Sequence, residues 1–128
     1  MNKLTRFQAL KILEWCKKRY GRGKQRYPYL EYRKADYTAL DVTMAEYDYE
    51  EGTMMVYSDR IKSIEELVHT IIHEYCHYRY HTKSKMWNSD EQYSYYENPY
   101  EIEADSIANR DWKKCLKELK KYHTQFNF

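Results

Sequence analysis

Apolar residues along the first stretch of the chain, Leu4, Phe7, Leu10, Ile12, Leu13 and Trp15, recur at mixed helical spacing and stop before Gly21. That spacing predicts an amphipathic helix over residues 4–20, closed by Gly21-Arg22-Gly23. Tyr29–Arg33 and Leu40–Tyr49 are rich in Tyr, Val and Thr with partial alternation, which reads as extended chain. Glu51-Gly52 marks a turn before Thr53-Met54-Met55-Val56-Tyr57, so a hairpin is expected there. Neither Pro nor Gly occurs from Thr53 to Asn98, and Leu67-Val68-His69-Thr70-Ile71-Ile72 is mainly apolar. Ser63 and Glu66 have the spacing of a capping box, so a helix over residues 64–81 is predicted. Residues 83–97, Tyr-rich and polar, read as a loop. Asn98 is a good cap and Pro99 suits a first turn, which places a last helix at about 99–122 and leaves the tail unassigned. The order indicates an α+β fold in one domain, 1–128, with a small antiparallel sheet covering the second helix.

Within that second helix lies His73-Glu74-Tyr75-Cys76-His77, the HExxH pattern. Four helical residues turn through about 400° and rise about 6 Å, so both imidazoles leave one face a turn apart. That separation lets both nitrogens reach one Zn²⁺ at roughly 2.0–2.1 Å. Glu74 projects about 100° round the helix, beside the metal position, where a carboxylate can exchange a proton with water. A catalytic zinc site has three protein ligands and one open position. The last helix offers Glu101 and Glu103, which lie about 200° apart and cannot face the same metal. Histidines recur at 69, 73, 77 and 81. His81 is about 12 Å along the axis from His73, so His69 and His81 read as surroundings of the site or solvated residues.

The stretch Glu101-Ile102-Glu103-Ala104-Asp105 after this motif resembles the ExxAD form of the gluzincin metallopeptidases. The resemblance covers about residues 53–112 and extends to minigluzincins and to small phage and bacterial SprT-like peptidases. SprT itself takes its third ligand from a histidine, so the glutamate helix fits the gluzincin pattern better. It implies a zincin-like fold with Zn²⁺ held by His73, His77 and Glu101, and Asp105 hydrogen-bonded to the distal N–H of a ligand histidine. Ala104 would let the two helices approach. The activity implied is hydrolysis of protein or peptide substrates, with Glu74 as general base on the zinc-activated water and then general acid to the leaving amine. Such enzymes place a Tyr or His donor near the metal. Tyr93, Tyr95, Tyr96 and His123 are all candidates, and no motif selects among them. The strand at 53–57 has two readings: a sheet edge that binds substrate backbone, or a plain strand.

Composition narrows the setting. Charged residues make up 33% of the 128, and no apolar run approaches the roughly 18 residues of a membrane span. Met1-Asn2-Lys3-Leu4-Thr5-Arg6 lacks an apolar signal core. Cys16, Cys76 and Cys115 form an odd set without a CxxC pair, which fits reduced thiols and a cytoplasmic protein. Cys76 reads as packing rather than as a ligand. Net charge is +2, yet residues 1–26 hold nine Lys/Arg against Glu14, while 27–112 hold eight against eighteen Asp/Glu. Two readings follow: a nucleic-acid surface on residues 1–26, or a solvated face that neutralises an acidic body. The alternative to an enzyme is a zinc-containing regulatory or nucleic-acid-associated binding module with little catalysis.

Overall fold

The computed structural model describes residues 3–35 and 43–127. Four α-helices and a three-stranded sheet are present among them, a mixed α+β architecture. Helix α1 (Arg6–Tyr20) begins two residues later than expected, because Thr5 stands outside it as the cap. The Thr5 hydroxyl accepts from Gln8 N–H, and the Gln8 side chain accepts from Thr5 N–H, satisfying two orphan donors. At the other end Gly21 takes φ 79° and donates to the Lys17 carbonyl. A positive φ there is open to glycine at little cost.

Strands β1 (Tyr29–Arg33), β2 (Ala45–Asp48) and β3 (Thr53–Tyr57) form a sheet of order β1-β3-β2. The expected hairpin is β2–β3, antiparallel and closed by a turn in which Gly52 has φ 67° and donates to the Asp48 carbonyl. The start of the extended stretch at 40–49 lies outside the described residues. The expectation of an antiparallel sheet is corrected by β1, which pairs with β3 in parallel. Residues 34–44 separate β1 from β2 in the chain, so the two need not be neighbours, and β3 occupies the place between them. Register then builds two inward rows, Leu30–Met54–Tyr47 and Tyr32–Val56–Ala45. Those rows are buried or half-buried against the helices, while Glu31, Arg33, Glu46 and Thr53 alternate outward, as one-sided sheets require.

Helix α2 (Ile64–Tyr80) is the central element and packs against α1, β2 and α4 (Pro99–Tyr122). Ser63 caps it by accepting from Glu66 N–H, and Glu66 accepts from Lys62 N–H. Leu67, Val68, Ile71, Ile72, Tyr75 and Cys76 are fully buried, so the apolar run before the motif is core. Its back face also holds the chain leaving α1. Tyr75 donates to Gly21 O at 2.5 Å, Tyr78 to Gln25 O at 2.8 Å, and Arg79 to Tyr20 O at 2.9 Å. A Cβ on Gly23 would meet the Tyr78 carbonyl at 3.0 Å, a tight contact, so this approach favours glycine. Two of the sixteen tyrosines, Tyr75 and Tyr78, serve this seam with their hydroxyls.

The loop expected at 83–97 is corrected: α3 (Lys83–Gln92) and a 3-10 turn (Tyr95–Glu97) occupy it. Thr82 caps α3 by accepting from Lys85 N–H. Only Met86 and Ser89 of α3 are buried, too little apolar surface to show as periodicity. Helix α4 has the expected bounds, with Asn98 accepting from Tyr100 N–H and Pro99 in its first turn. Beyond α4, a 3-10 turn (Thr124–Phe126) buries Phe126 completely in the common core. No helix of the described residues is long and apolar enough to cross a membrane. Phe126→Ala is expected to cost about 3–5 kcal/mol of stability through the cavity it leaves. Tyr122→Ala, at a side chain 76% exposed, should stay within about 0.5 kcal/mol. Chemical denaturation of both variants measures the contrast.

Candidate metal centre

Helix α2 presents His73 and His77 one turn apart, both buried, toward the first turn of α4. There Glu101 Oε1 lies 2.9 Å from His73 Nε2 and 2.6 Å from His77 Nε2, and the two nitrogens are 3.1 Å apart. Among the described residues this is the group of three metal-ligating side chains that converges, with its ligand atoms within 4.8 Å of one another. Donors at 2.0–2.1 Å around a tetrahedral ion stand about 3.3 Å apart. The three atoms therefore need to spread by less than about 1 Å to hold an ion. Two imidazoles and one carboxylate are a donor set suited to Zn²⁺, and other divalent transition ions accept the same ligands.

Glu101 reaches this place because the start of α4 is anchored. Asn98 accepts from the Ser89 hydroxyl at 2.6 Å and donates to Asp90 at 3.0 Å, so α3 grips the cap of α4. Ala104 and Ala108 are fully buried where α2 and α4 meet, and their small side chains permit the close approach. Glu103 points elsewhere: its carboxylate meets His81 at 2.5 Å. Asp105 Oδ1 lies 2.7 Å from His73 Nδ1, on the far side of the ring from Glu101. Glu74 Oε1 stands 4.0 Å from His73 Nε2, with 13% of its side chain exposed. The structure thus gathers His73, Glu74, His77, Glu101 and Asp105 in one place.

Electrostatics follow from burial and these contacts. Desolvation alone would raise the Glu101 carboxyl, but hydrogen bonds from His73 and His77 outweigh it and hold it down to about 2. Burial pulls His73 down, yet Asp105 and Glu101 together lift it to about 10. Burial raises Glu74, opposed by the neighbouring His77 and His73. Burial pushes the Cys76 thiol up to about 12, which suits a packing residue and not a thiolate ligand. Cys16 and Cys115 are likewise buried, and burial raises both.

Comparison with known protein families, with curated proteins and with solved structures finds no match to this chain. The site has to be read from its own geometry.

The cluster lies in a cleft of about 1230 Å³ bounded by β2, α2 and the segment from α3 to α4. Strand β3 is central and paired on both sides, so the edge reading of residues 53–57 is corrected. The edge strand lining the cleft is β2, with Thr43 to Glu50 along the wall. Sequence reasoning missed this because strand order depends on long-range pairing. Of the four candidate donors, His123 packs against Phe7 and Phe126 at the far end of α4. Tyr93 caps the end of α3, whereas Tyr95 and Tyr96 line the cleft. Tyr95 is raised by burial and by the carboxylates of Asp105, Glu101 and Glu74, which keeps its hydroxyl a donor beside the site. His69 leaves the cluster and bonds Asn109 at 2.8 Å.

A cation entering this group must displace the proton that His73 carries at neutral pH, since its metal-free value is about 10. Glu101, at about 2, is already ionised. Zinc uptake near pH 7 is therefore expected to release at least one proton, and apparent affinity should strengthen as pH rises. Calorimetry in two buffers of different ionisation enthalpy measures the protons released.

Proposed function

We propose that this chain is a zinc-dependent peptidase of gluzincin type with a zincin-like fold, hydrolysing peptide bonds in protein or peptide substrates. The observation that carries the reading is the convergence of His73, His77 and Glu101 beside Glu74, at the base of an open cleft. The residues that would hold the ion are His73, His77 and Glu101. Bound zinc supplies Lewis acidity that polarises a carbonyl and acidifies water.

The chain's own residues do the rest. The edge of β2 that is unpaired among the described residues offers backbone N–H and C=O groups to an extended peptide laid along the cleft. Glu74, raised by burial and close to the ligand atoms, takes a proton from the attacking water and delivers it to the leaving amine. Tyr95, protonated and on the opposite wall, donates to the oxygen on which negative charge develops. Asp105 fixes the ring of His73. Glu46, Asp48 and Asp90 line the walls, and Lys83 is paired with Glu50, so the cleft favours peptides with basic side chains.

Glu74→Gln is expected to retain zinc and fold while lowering cleavage of an unfolded, fluorescently labelled protein by about 10²–10⁴-fold. Equal cleavage by wild type and variant would sink the catalytic assignment. Zinc-loaded wild type that cleaves nothing across a broad panel of unfolded proteins would favour a zinc-containing binding module instead.

A further inference from the structure

We propose that Glu103, acting through His81, sets the tautomer of His77 and so prepares its Nε2 as a metal ligand; this rests on the metal reading of the site. His81 belongs to no motif and is the residue at which α2 ends. It leaves the helix with φ −117° and ψ 127°, its N–H still bonded to the His77 carbonyl. Its ring is buried, and its Nδ1 faces His77 Nδ1 at 2.9 Å. Its other nitrogen, Nε2, lies 2.5 Å from Glu103 Oε1. Tyr100 packs on the same ring, centroids 4.8 Å apart, and comes from the same helix as Glu103. Helix α4 thus both steadies His81 and gives it an acceptor.

The direction of the chain follows from what each group can do. An ionised carboxylate only accepts, so His81 Nε2 carries the proton that faces Glu103. Neutral His81 then has a bare Nδ1. Two ring nitrogens 2.9 Å apart hold one proton between them, because two protons clash and two lone pairs repel. That proton belongs to His77 Nδ1, which donates to His81. His77 Nε2 itself lies 2.6 Å from the Glu101 carboxylate and carries a proton toward it in the metal-free site. Once an ion displaces that proton, His77 keeps its Nδ1 proton alone and Nε2 is bare, the state a ligand imidazole requires. With the reverse polarity the Nε2 proton would be the only one on His77, and giving it up to an ion would leave an imidazolate. Glu103 and His81 are positioning residues, two links long, where Asp105 serves His73 in one link.

The test uses full-length, zinc-loaded protein labelled with ¹⁵N in its histidines. In wild type, His81 should be protonated at Nε2 and bare at Nδ1, and a ¹⁵N–¹⁵N coupling should cross the His77–His81 hydrogen bond. Glu103→Ala should weaken zinc affinity by about 10–100-fold, as losses behind a ligand do. Glu103→Gln, which keeps an acceptor oxygen, should recover most of that loss. His81→Phe, which keeps the ring volume, should lose as much as Glu103→Ala, and the double variant no more than either. The Glu103 side chain is 54% exposed, so its variants should fold, and circular dichroism checks that. Zinc affinity unchanged in folded Glu103→Ala, or a proton found on His81 Nδ1 in zinc-loaded wild type, would overturn the inference alone. Wild type that takes up neither zinc nor cobalt would overturn the metal reading and the inference with it.

Discussion

One carboxylate shared by two imidazoles is the contact on which the rest of this structure turns. Glu101 comes from α4, His73 and His77 come from α2, and all three lie out of bulk water. A buried carboxylate is costly unless it is paired and hydrogen-bonded. Here two ring nitrogens outweigh the desolvation, and the ionised form is retained. The α2–α4 contact therefore has to be close and fixed in register. The fold supplies this with Ala104 and Ala108 in the seam and with Asn98 clamped between Ser89, Asp90 and the first turn of α4. Movement of α4 by one residue would turn Glu101 about 100° away.

Helix α2 meets this demand by being two different surfaces. Its front carries the ligand-type side chains, and its back is built into the core through Leu67, Ile71, Ile72 and Tyr75. Tyrosines bridge the two roles, since each buries a ring and spends its hydroxyl on a backbone carbonyl. Tyr75 and Tyr78 tie α2 to the segment after α1, and Tyr49 donates to the His77 carbonyl from the sheet side at 3.2 Å. Tyr47 stacks edge-on against both Tyr49 and Tyr78. The helix that must hold two histidines in place is thus fixed from both neighbouring layers.

What could be read along the chain was what depends on residues near one another in it. The caps at Ser63 and Asn98, Pro99 in a first turn, and the four-residue spacing of His73 and His77 are local, and the elements they predict are present with nearly the expected bounds. The parallel pairing of β1 with β3 is not local, and it decides that β2 rather than β3 borders the cleft. Helix α3 was obscured for another reason. It buries two side chains, and its work is done by Ser89 and Asp90 on a distant cap, so it leaves no apolar period. Phe126 lies in a tail with no pattern of its own, yet it is core. The role of His81 needed both its ring contact with His77 and the end of α2 at that residue.

The two histidines of the candidate site receive support of unequal length for an electrostatic reason. His73 meets Asp105, whose side chain is 41% exposed, so that carboxylate keeps much of its hydration. His77 lies deeper, and a carboxylate placed directly against its Nδ1 would be a second buried charge a few ångströms from Glu101. Like charges at that distance in a dry site repel strongly. Inserting neutral His81 moves the charge outward to Glu103, which remains half in water. The imidazole transmits the direction of the hydrogen bond without carrying the charge inward. Polar groups buried around the cluster are thereby satisfied, and among the described residues no buried side-chain nitrogen or oxygen lacks a partner. The histidine ladder of α2 then has a physical logic: His73 and His77 face the site, His81 carries polarity out of it, and His69 is spent on Asn109.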